Sequence, residues 1–342
     1  MSSYFIGEIM TQEDMGIEAR NLTKYFYIKV GFFKSLLSKD IPYVHAVDDV
    51  SFEIKKEEVF GLVGESGCGK TTTGRLLLRL IEPTAGHIHF KGLDVTSLPD
   101  KEMRKLRRKM QIIFQDPYES LNSRMSIFDI VAEPLRIQKV VGTEAEVHER
   151  VVKVMEDMDL TPPEEFLYRF PHELSGGQRQ RVAIARAFAL EPEFIVADEP
   201  VSMLDASIRS EVSNLMLGLV KKFHCSILYI THDIALSRYM CNRVAVMYLG
   251  EIVEKGPRDD VIQEPLHPYT EALIAAVPVP DPTARRTKIV TKGEVPSAIS
   301  PPSGCRFHPR CPHVMDVCGK EEPELIEVTK DRYVACHLHK HK

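Results

Sequence analysis

Gly64-Glu65-Ser66-Gly67-Cys68-Gly69-Lys70-Thr71 is the stretch that decides the fold. It fits the pattern G-x-x-x-x-G-K-[ST], whose glycines let successive backbone N–H groups turn inward around phosphate oxygens. The apolar run VFGLV at 59–63 before it reads as a short buried strand. Residues 71–81 after it read as a helix whose Leu76, Leu77, Leu78 and Leu80 make it nearly all buried. A helix start at the loop adds partial positive charge beside the anion. Lys70 is then expected to reach the β- and γ-phosphates of a nucleotide, and the Thr71 hydroxyl to hold Mg²⁺, with Thr72 next on the same turn. Cys68 lies inside the loop, near a helix N-terminus and Lys70. Both features lower a thiol pKa, so a reactive thiol is expected there, against the plainer reading of an inert space-filler.

Farther along, FIVADE at 194–199 reads as an apolar strand ending in two carboxylates. Asp198 suits a second Mg²⁺ anchor, and Glu199 is placed to polarise an attacking water, a kind of help worth about 10²–10⁴-fold in rate. Alone, such a pair is as well explained by a strand end meeting solvent; the phosphate loop makes the difference. Leu174-Ser175-Gly176-Gly177-Gln178 precedes a helix, with Ser175 and Gln178 at capping-box spacing and bare glycines that let an anion approach the helix start. Thr143 and Glu146 have the same box spacing, followed by Val147, Val151, Val154 and Met158 on one helical face. Strand patterns at 47–54, 110–114, 194–197, 226–230 and 243–248 alternate with helical ones, among them 208–222. That rhythm argues an α/β fold with a mostly parallel sheet covered on both faces. Residues 31–42 form an insertion with Phe32, Phe33, Leu36 and Leu37, expected to pack on the domain.

LSGGQ between a phosphate loop and an acid-ended strand resembles the ATP-binding cassette (ABC) family, over about residues 17–255. The resemblance implies a P-loop NTPase ABC cassette: a RecA-like core, an antiparallel β subdomain and a helical subdomain at about 116–190. It also implies that two cassettes meet head to tail, each ATP sandwiched between one subunit's phosphate loop and the other's signature. Gly64, Glu65, Ser66, Gly67, Cys68, Gly69, Lys70, Thr71 and Thr72 would then hold ATP in cis, and Ser175, Gly176, Gly177, Gln178 and Asp205 would reach it in trans. Gln115 in FQDP resembles the Q-loop glutamine that senses Mg²⁺ and the membrane partner, which makes Thr71, Gln115 and Asp198 the Mg²⁺ set. His232 in THD resembles the switch histidine that contacts the γ-phosphate, beside Glu199 in catalysis. An aromatic should stack on adenine; Phe26 fits best, with Tyr25 its neighbour. Ser202-Met203-Leu204-Asp205 resembles the D-loop, with Met203 where a small residue is usual and packing across the dimer at stake.

Composition narrows the branch. Lys and Arg number 44 against 49 Asp and Glu, a formal charge of −5, which argues against a nucleic-acid partner. The one basic run, 101–109, is interleaved with Met103 and Leu106 and reads as the solvated face of a helix. No apolar stretch approaches the roughly 20 residues that span a bilayer, and residues 1–16 read as a flexible N-terminus without a secretory signal. Exporter cassettes are commonly fused to membrane helices. Translation-type relatives usually carry two cassettes, and DNA-repair relatives long insertions. A detached importer subunit remains.

From about residue 265 prolines exclude long helices. LHPYT at 266–270, PVPDP at 278–282 and PPSGCRFHPRCP at 301–312 resemble the C-terminal extension of oligopeptide/dipeptide importer ATPases, which places a cassette at 17–265 and an extension at 266–342. The resemblance implies an ATPase that powers peptide import from the cytoplasmic face of the membrane. Its partners would be a second, different ABC ATPase, two transmembrane permeases and an external substrate-binding protein. The same role for an oligosaccharide or nickel importer, or a soluble ABC regulator, stays open. Four of the seven cysteines, Cys305, Cys311, Cys318 and Cys336, crowd into this tail. Zinc sites favour Cys pairs two to four residues apart, and none exists here, whereas iron–sulfur ligands can come from dispersed loops. The resemblance implies a 4Fe–4S cluster. A mixed zinc site with His308, His313 or His337, and unligated thiols or two disulfides, are the other readings.

Overall fold

The computed structural model describes residues 15–28, 42–277 and 293–340. The 31–42 insertion, all but its last residue, and the PVPDP run lie outside them. So does the expected flexible N-terminus, except for Met15 and Gly16, which already belong to a strand.

The chain opens with β1 (Met15–Tyr27) and β2 (Tyr43–Lys55), then β3 (Val59–Val63) and α1 (Lys70–Leu77). It continues through β4 (Ala85–Phe90), β5 (Leu93–Asp94), α2 (Asp100–Leu106) and β6 (Met110–Ile113). A helical stretch follows: α3 (Pro117–Ser120), α4 (Ile127–Gln138), α5 (Glu144–Asp157), α6 (Glu164–Leu167) and α7 (Gly176–Phe188). Then strands and helices alternate in β7 (Phe194–Asp198), α8 (Ala206–Phe223), β8 (Ser226–Thr231), α9 (Ile234–Met240) and β9 (Arg243–Tyr248). The last elements are β10 (Glu251–Pro257), α10 (Arg258–Gln263), α11 (Pro268–Ala275), β11 (Ile326–Thr329) and β12 (Arg332–Val334).

An antiparallel sheet has the order β2-β1-β4-β5; the larger sheet runs β11-β12-β10-β9-β3-β8-β7-β6. Its middle, from β9 to β6, is parallel, and β10, β12 and β11 add antiparallel to one edge. Strand periodicity explains why β3, β7 and β8 are buried along their whole length. Successive side chains point to opposite faces, and both faces are covered. Val59, Ile195, Ala197, Ile227 and Tyr229 enter one core with the helices that follow β6. Phe60, Leu62, Phe194, Val196, Leu228 and Ile230 enter the other, against β1 and β2. Such two-sided burial is the mark of parallel strands.

One expectation needs correction here. The first helix stops at Leu77 rather than running to 81: Arg79 takes a positive φ of 46°, and Leu80 is 45 % exposed rather than buried. The C-terminal extension is integrated into the fold. β12 pairs with β10 and so continues the central sheet. Behind that joint, the fully buried Glu254 accepts the backbone N–H groups of Leu266 (3.0 Å) and His267 (2.9 Å) and faces Arg332 at 3.4 Å. Backbone donors and a guanidinium are what a buried carboxylate needs to stay in the fold.

Candidate nucleotide site

β3 delivers the chain into the 64–71 loop, and the loop into the N-terminus of α1. Gly69 caps that helix at φ 111°, and a Cβ there would stand 2.1 Å from the Ala46 carbonyl oxygen; Gly64 is as tight, 2.2 Å from that of Met247. Only glycine fits either place. Lys70 is buried, and its Nζ donates to the carbonyls of Gly64 (2.8 Å) and Glu65 (2.9 Å) across the mouth of the loop. The Thr71 hydroxyl donates to Asp198 Oδ1 at 3.1 Å, from the end of β7.

Glu199 follows directly. Its φ of 46° is unusual for a residue with a side chain, and a net of bonds holds it. Its N–H donates to the Ile230 carbonyl (2.9 Å), while its own carbonyl accepts from Ser202 N–H (3.2 Å) and Oγ (3.0 Å). This turn aims the carboxylate at two groups from other elements. Gln115 Nε2 donates to Glu199 Oε2 at 3.0 Å, and His232 Nδ1 lies 3.0 Å from the same oxygen. His232 is itself fixed between β8 and α9, where Asp233 caps the helix by accepting the N–H groups of Ala235 and Leu236.

These groups share one cavity of about 730 Å³. Glu65, Ser66, Gly67, Gly69, Lys70, Thr71 and Thr72 form its floor, Gln115, Glu199 and His232 one wall. Phe26, 41 % exposed, stands on the rim, whereas Tyr25 turns inward and donates to Asp48 Oδ1. Asp198 opens onto an adjoining cavity with Thr71, Arg75 and Gln115. Burial pushes its carboxyl pKa up, against the Thr71 hydrogen bond, and the Glu199 charge adds to the rise. A buried carboxylate and a hydroxyl, both hard oxygen donors, fit Mg²⁺.

Gly64 and Cys68 contribute backbone, not cavity wall. The Cys68 side chain is 4 % exposed, and burial raises its thiol pKa more than Lys70, 3.8 Å away, lowers it. Burial and the raised pKa favour the plainer reading of a space-filler over the expected reactive thiol. Sequence reading missed Val44 and Ala46 on the β2 side and, more telling, Leu273 of α11, which lines the same cavity from the extension.

Ser175, Gly176, Gly177, Gln178 and Asp205 do not line this cavity. Ser175 and Gln178 close a capping box, with Ser175 Oγ accepting Gln178 N–H (3.3 Å) and Gln178 Oε1 accepting Ser175 N–H (2.9 Å). First-turn N–H groups have no partner within the helix, and the α7 start lies outside the cavity that the chain's own phosphate loop lines. Asp205 stands at the start of α8 without capping it, and Met203 is 60 % exposed.

In the extension all four clustered cysteines are free thiols, so the disulfide reading does not hold. Burial pushes Cys305 up to about 12 and Cys336 to about 11, and the neighbouring Cys311 and Cys318 thiols add to both shifts. Backbone N–H groups point at the sulfurs: Met315 at Cys318 (3.4 Å), Phe307 at Cys305, His313 at Cys311 and Leu338 at Cys336. Among the described residues no group of three or more His, Cys, Asp or Glu is gathered closely enough to hold a metal ion.

The match to known proteins agrees with this geometry. The ABC transporter family model matches residues 47–202, and the oligopeptide/dipeptide transporter C-terminal region matches 253–318. A putative peptide import ATP-binding protein of Brucella ovis is 49 % identical over 320 residues, covering 94 % of this chain and 96 % of its own. The chain belongs to the ABC transporter ATPases of the oligopeptide/dipeptide group. A probable peptide ABC transporter ATP-binding protein of Sinorhizobium fredii is 46 % identical over 95 % of this ABC ATPase and 90 % of its own length. The oligopeptide transport ATP-binding protein AppF of Bacillus subtilis is 45 % identical, over 94 % and 97 %. A solved dimeric ATP-binding cassette bound to ADP and Pi superposes with a TM-score of 0.61 at 29 % identity, covering 71 % of this ABC ATPase and 98 % of that chain. No helix among the described residues is long and apolar enough to cross a membrane.

Proposed function

We propose that this ATPase powers the import of di- and oligopeptides through partner permeases at the cytoplasmic face of the membrane. What carries the reading is one juxtaposition: a hydrolytic cavity on the cassette, and an extension of the kind matched to oligopeptide/dipeptide transporters folded against it. Relatives named for peptide import support the cargo class. The two units are the cassette at 17–265, with its helical subdomain at 116–190, and the extension at 266–342.

Lys70 leaves its carbonyl partners to bind the β- and γ-phosphates, while the loop N–H groups cradle them and Phe26 stacks on the base. Mg²⁺, with Thr71, Asp198 and Gln115 around it, would neutralise phosphate charge. Glu199 takes the proton of the attacking water, held in place by Gln115, and His232 contacts the γ-phosphate. An opposing cassette, a different chain, supplies Ser175, Gly176, Gly177, Gln178 and Asp205 across the dimer; that a solved relative is dimeric supports the pairing of cassettes, not the identity of the second one. Two permeases and an external binding protein complete the assembly.

We further propose, from the resemblance of the extension, that Cys305, Cys311, Cys318 and Cys336 hold a 4Fe–4S cluster with a structural role. Thiolates on one zinc ion at about 2.3 Å must crowd together, whereas those of a cubane grip separate irons and converge more loosely. The coupling among the four thiols and the N–H groups aimed at their sulfurs support this reading. Anaerobically purified protein is expected to be brown with about four irons per chain; colourless protein with one tight zinc overturns the cluster. Reconstituted with its partners, the complex is expected to take up labelled di- and oligopeptides on MgATP. Uptake of nickel or oligosaccharide instead refutes the cargo.

A further inference from the structure

The segment that carries the first two clustered cysteines is wedged against the phosphate loop. Arg310, next to Cys311, is 9 % exposed at its side chain. Its two terminal nitrogens donate to the two carboxylate oxygens of Glu65, at 3.0 and 3.1 Å. This fork-on-carboxylate geometry fixes orientation as well as charge. The guanidinium rests 5.8 Å from the ring centres of both Tyr248 and Phe307. Tyr248, Phe307 and Tyr269 pack together, with centroids 4.6 to 5.4 Å apart. From that cluster the Tyr269 hydroxyl accepts the Glu65 N–H at 2.9 Å, and Leu273, one turn on in α11, lines the nucleotide cavity. Arg306 anchors the same segment: it donates to the Leu249 carbonyl and to Asp48, which also accepts from Tyr25 beside Phe26.

Glu65 is therefore gripped from the extension at both its side chain and its N–H, while its carbonyl holds Lys70. It also lines the cavity that takes the triphosphate. A carboxylate there repels phosphate unless it is neutralised and turned aside, and Arg310 does both. Nothing in the phosphate-loop pattern requires this, since Glu65 occupies one of its unconstrained positions.

We propose that Arg310 is a positioning residue for nucleotide binding, through which the four-cysteine extension sets the affinity of the phosphate loop for MgATP. The inference rests on the ATPase reading. It acts through Glu65 and touches neither water nor γ-phosphate, so it governs binding rather than the chemical step.

The test is titration of the full chain with a fluorescent ATP analogue and Mg²⁺, together with steady-state ATPase of the assembled complex. Arg310→Met is expected to weaken nucleotide binding about tenfold, about 1.4 kcal/mol, and to raise KM while kcat stays within about twofold. Adding Glu65→Gln to Arg310→Met removes the stranded charge and is expected to restore affinity to within about threefold of wild type. A residue that merely props up the fold would show no such rescue. Unchanged affinity in Arg310→Met, or a loss that Glu65→Gln does not relieve, overturns the proposal. If Arg310→Met does not accumulate, Arg310→Gln, which keeps a hydrogen bond to Glu65 but no charge, decides by the same two outcomes. Wild-type protein that binds no MgATP would instead remove the ATPase reading itself.

Discussion

Glu199 shows how much a single residue's backbone decides. Its left-handed conformation costs about 1–2 kcal/mol for a residue with a Cβ, and the bonds to Ile230 and Ser202 hold it there. The result is a carboxylate oxygen 3.0 Å from both Gln115 and His232, three residues distant in sequence brought to one point. Glu199→Gln is isosteric and can keep both contacts while losing the ability to accept a proton. Hydrolysis is expected to fall by about 10²–10⁴-fold with MgATP affinity retained; turnover near wild type in a phosphate-release assay contradicts the role. Cys68 carries the opposite lesson. Helix start and Lys70 were both legible, but a thiol's reactivity depends on solvent, and the packing of β3, α1 and Met247 that buries it is not a local property.

At the scale of elements, capping chemistry was the most legible signal. The boxes at Thr143/Glu146 and Ser175/Gln178 form, because cap and third residue are neighbours in sequence and the geometry is local. The start of α11 was not legible. His267, wholly buried, caps it by accepting Tyr269 N–H at Nδ1 (3.0 Å), so that nitrogen must stay unprotonated. Burial, with the nearby His339 adding to it, pushes its pKa down to about 3. The unfolded chain takes up this proton near pH 6.5, the folded chain only near 3. The contribution to stability is thus complete above about 6.5 and lost as pH falls through that window, by about 1.4 kcal/mol per unit. His267→Asn keeps a capping oxygen without the titration. Between pH 7.5 and 5.5 the melting temperature of wild type is expected to drop more than that of the variant; equal drops contradict the assignment.

At the scale of the whole molecule, the phosphate loop and the signature helix of one chain do not face each other across one cavity. On the proposed reading, each cassette offers half of two sites. The isolated subunit is expected to hydrolyse ATP slowly, with a specific rate that climbs as partner cassette is added. Fast turnover by protein shown by sedimentation to remain monomeric would contradict this. Substituting the cysteines of the extension is expected to weaken ATP binding, because Arg310 and Tyr269 reach the phosphate loop from it.

The sequence alone determined what depends on short spans of chain. The phosphate loop, the acid-ended strand, the capping boxes and the strand–helix rhythm each specify backbone conformation or a two-residue contact within a few positions, and from them the ABC family and α/β class follow. Only the tertiary structure decided that β12 continues the central sheet at β10, that Glu254 and His267 are buried in that joint, and that Arg310 meets Glu65 across 245 positions. Those contacts join residues with no periodicity or spacing in common. Their partners are chosen by which surfaces the sheet brings together and by the cost of leaving a charge unpaired once it is buried there.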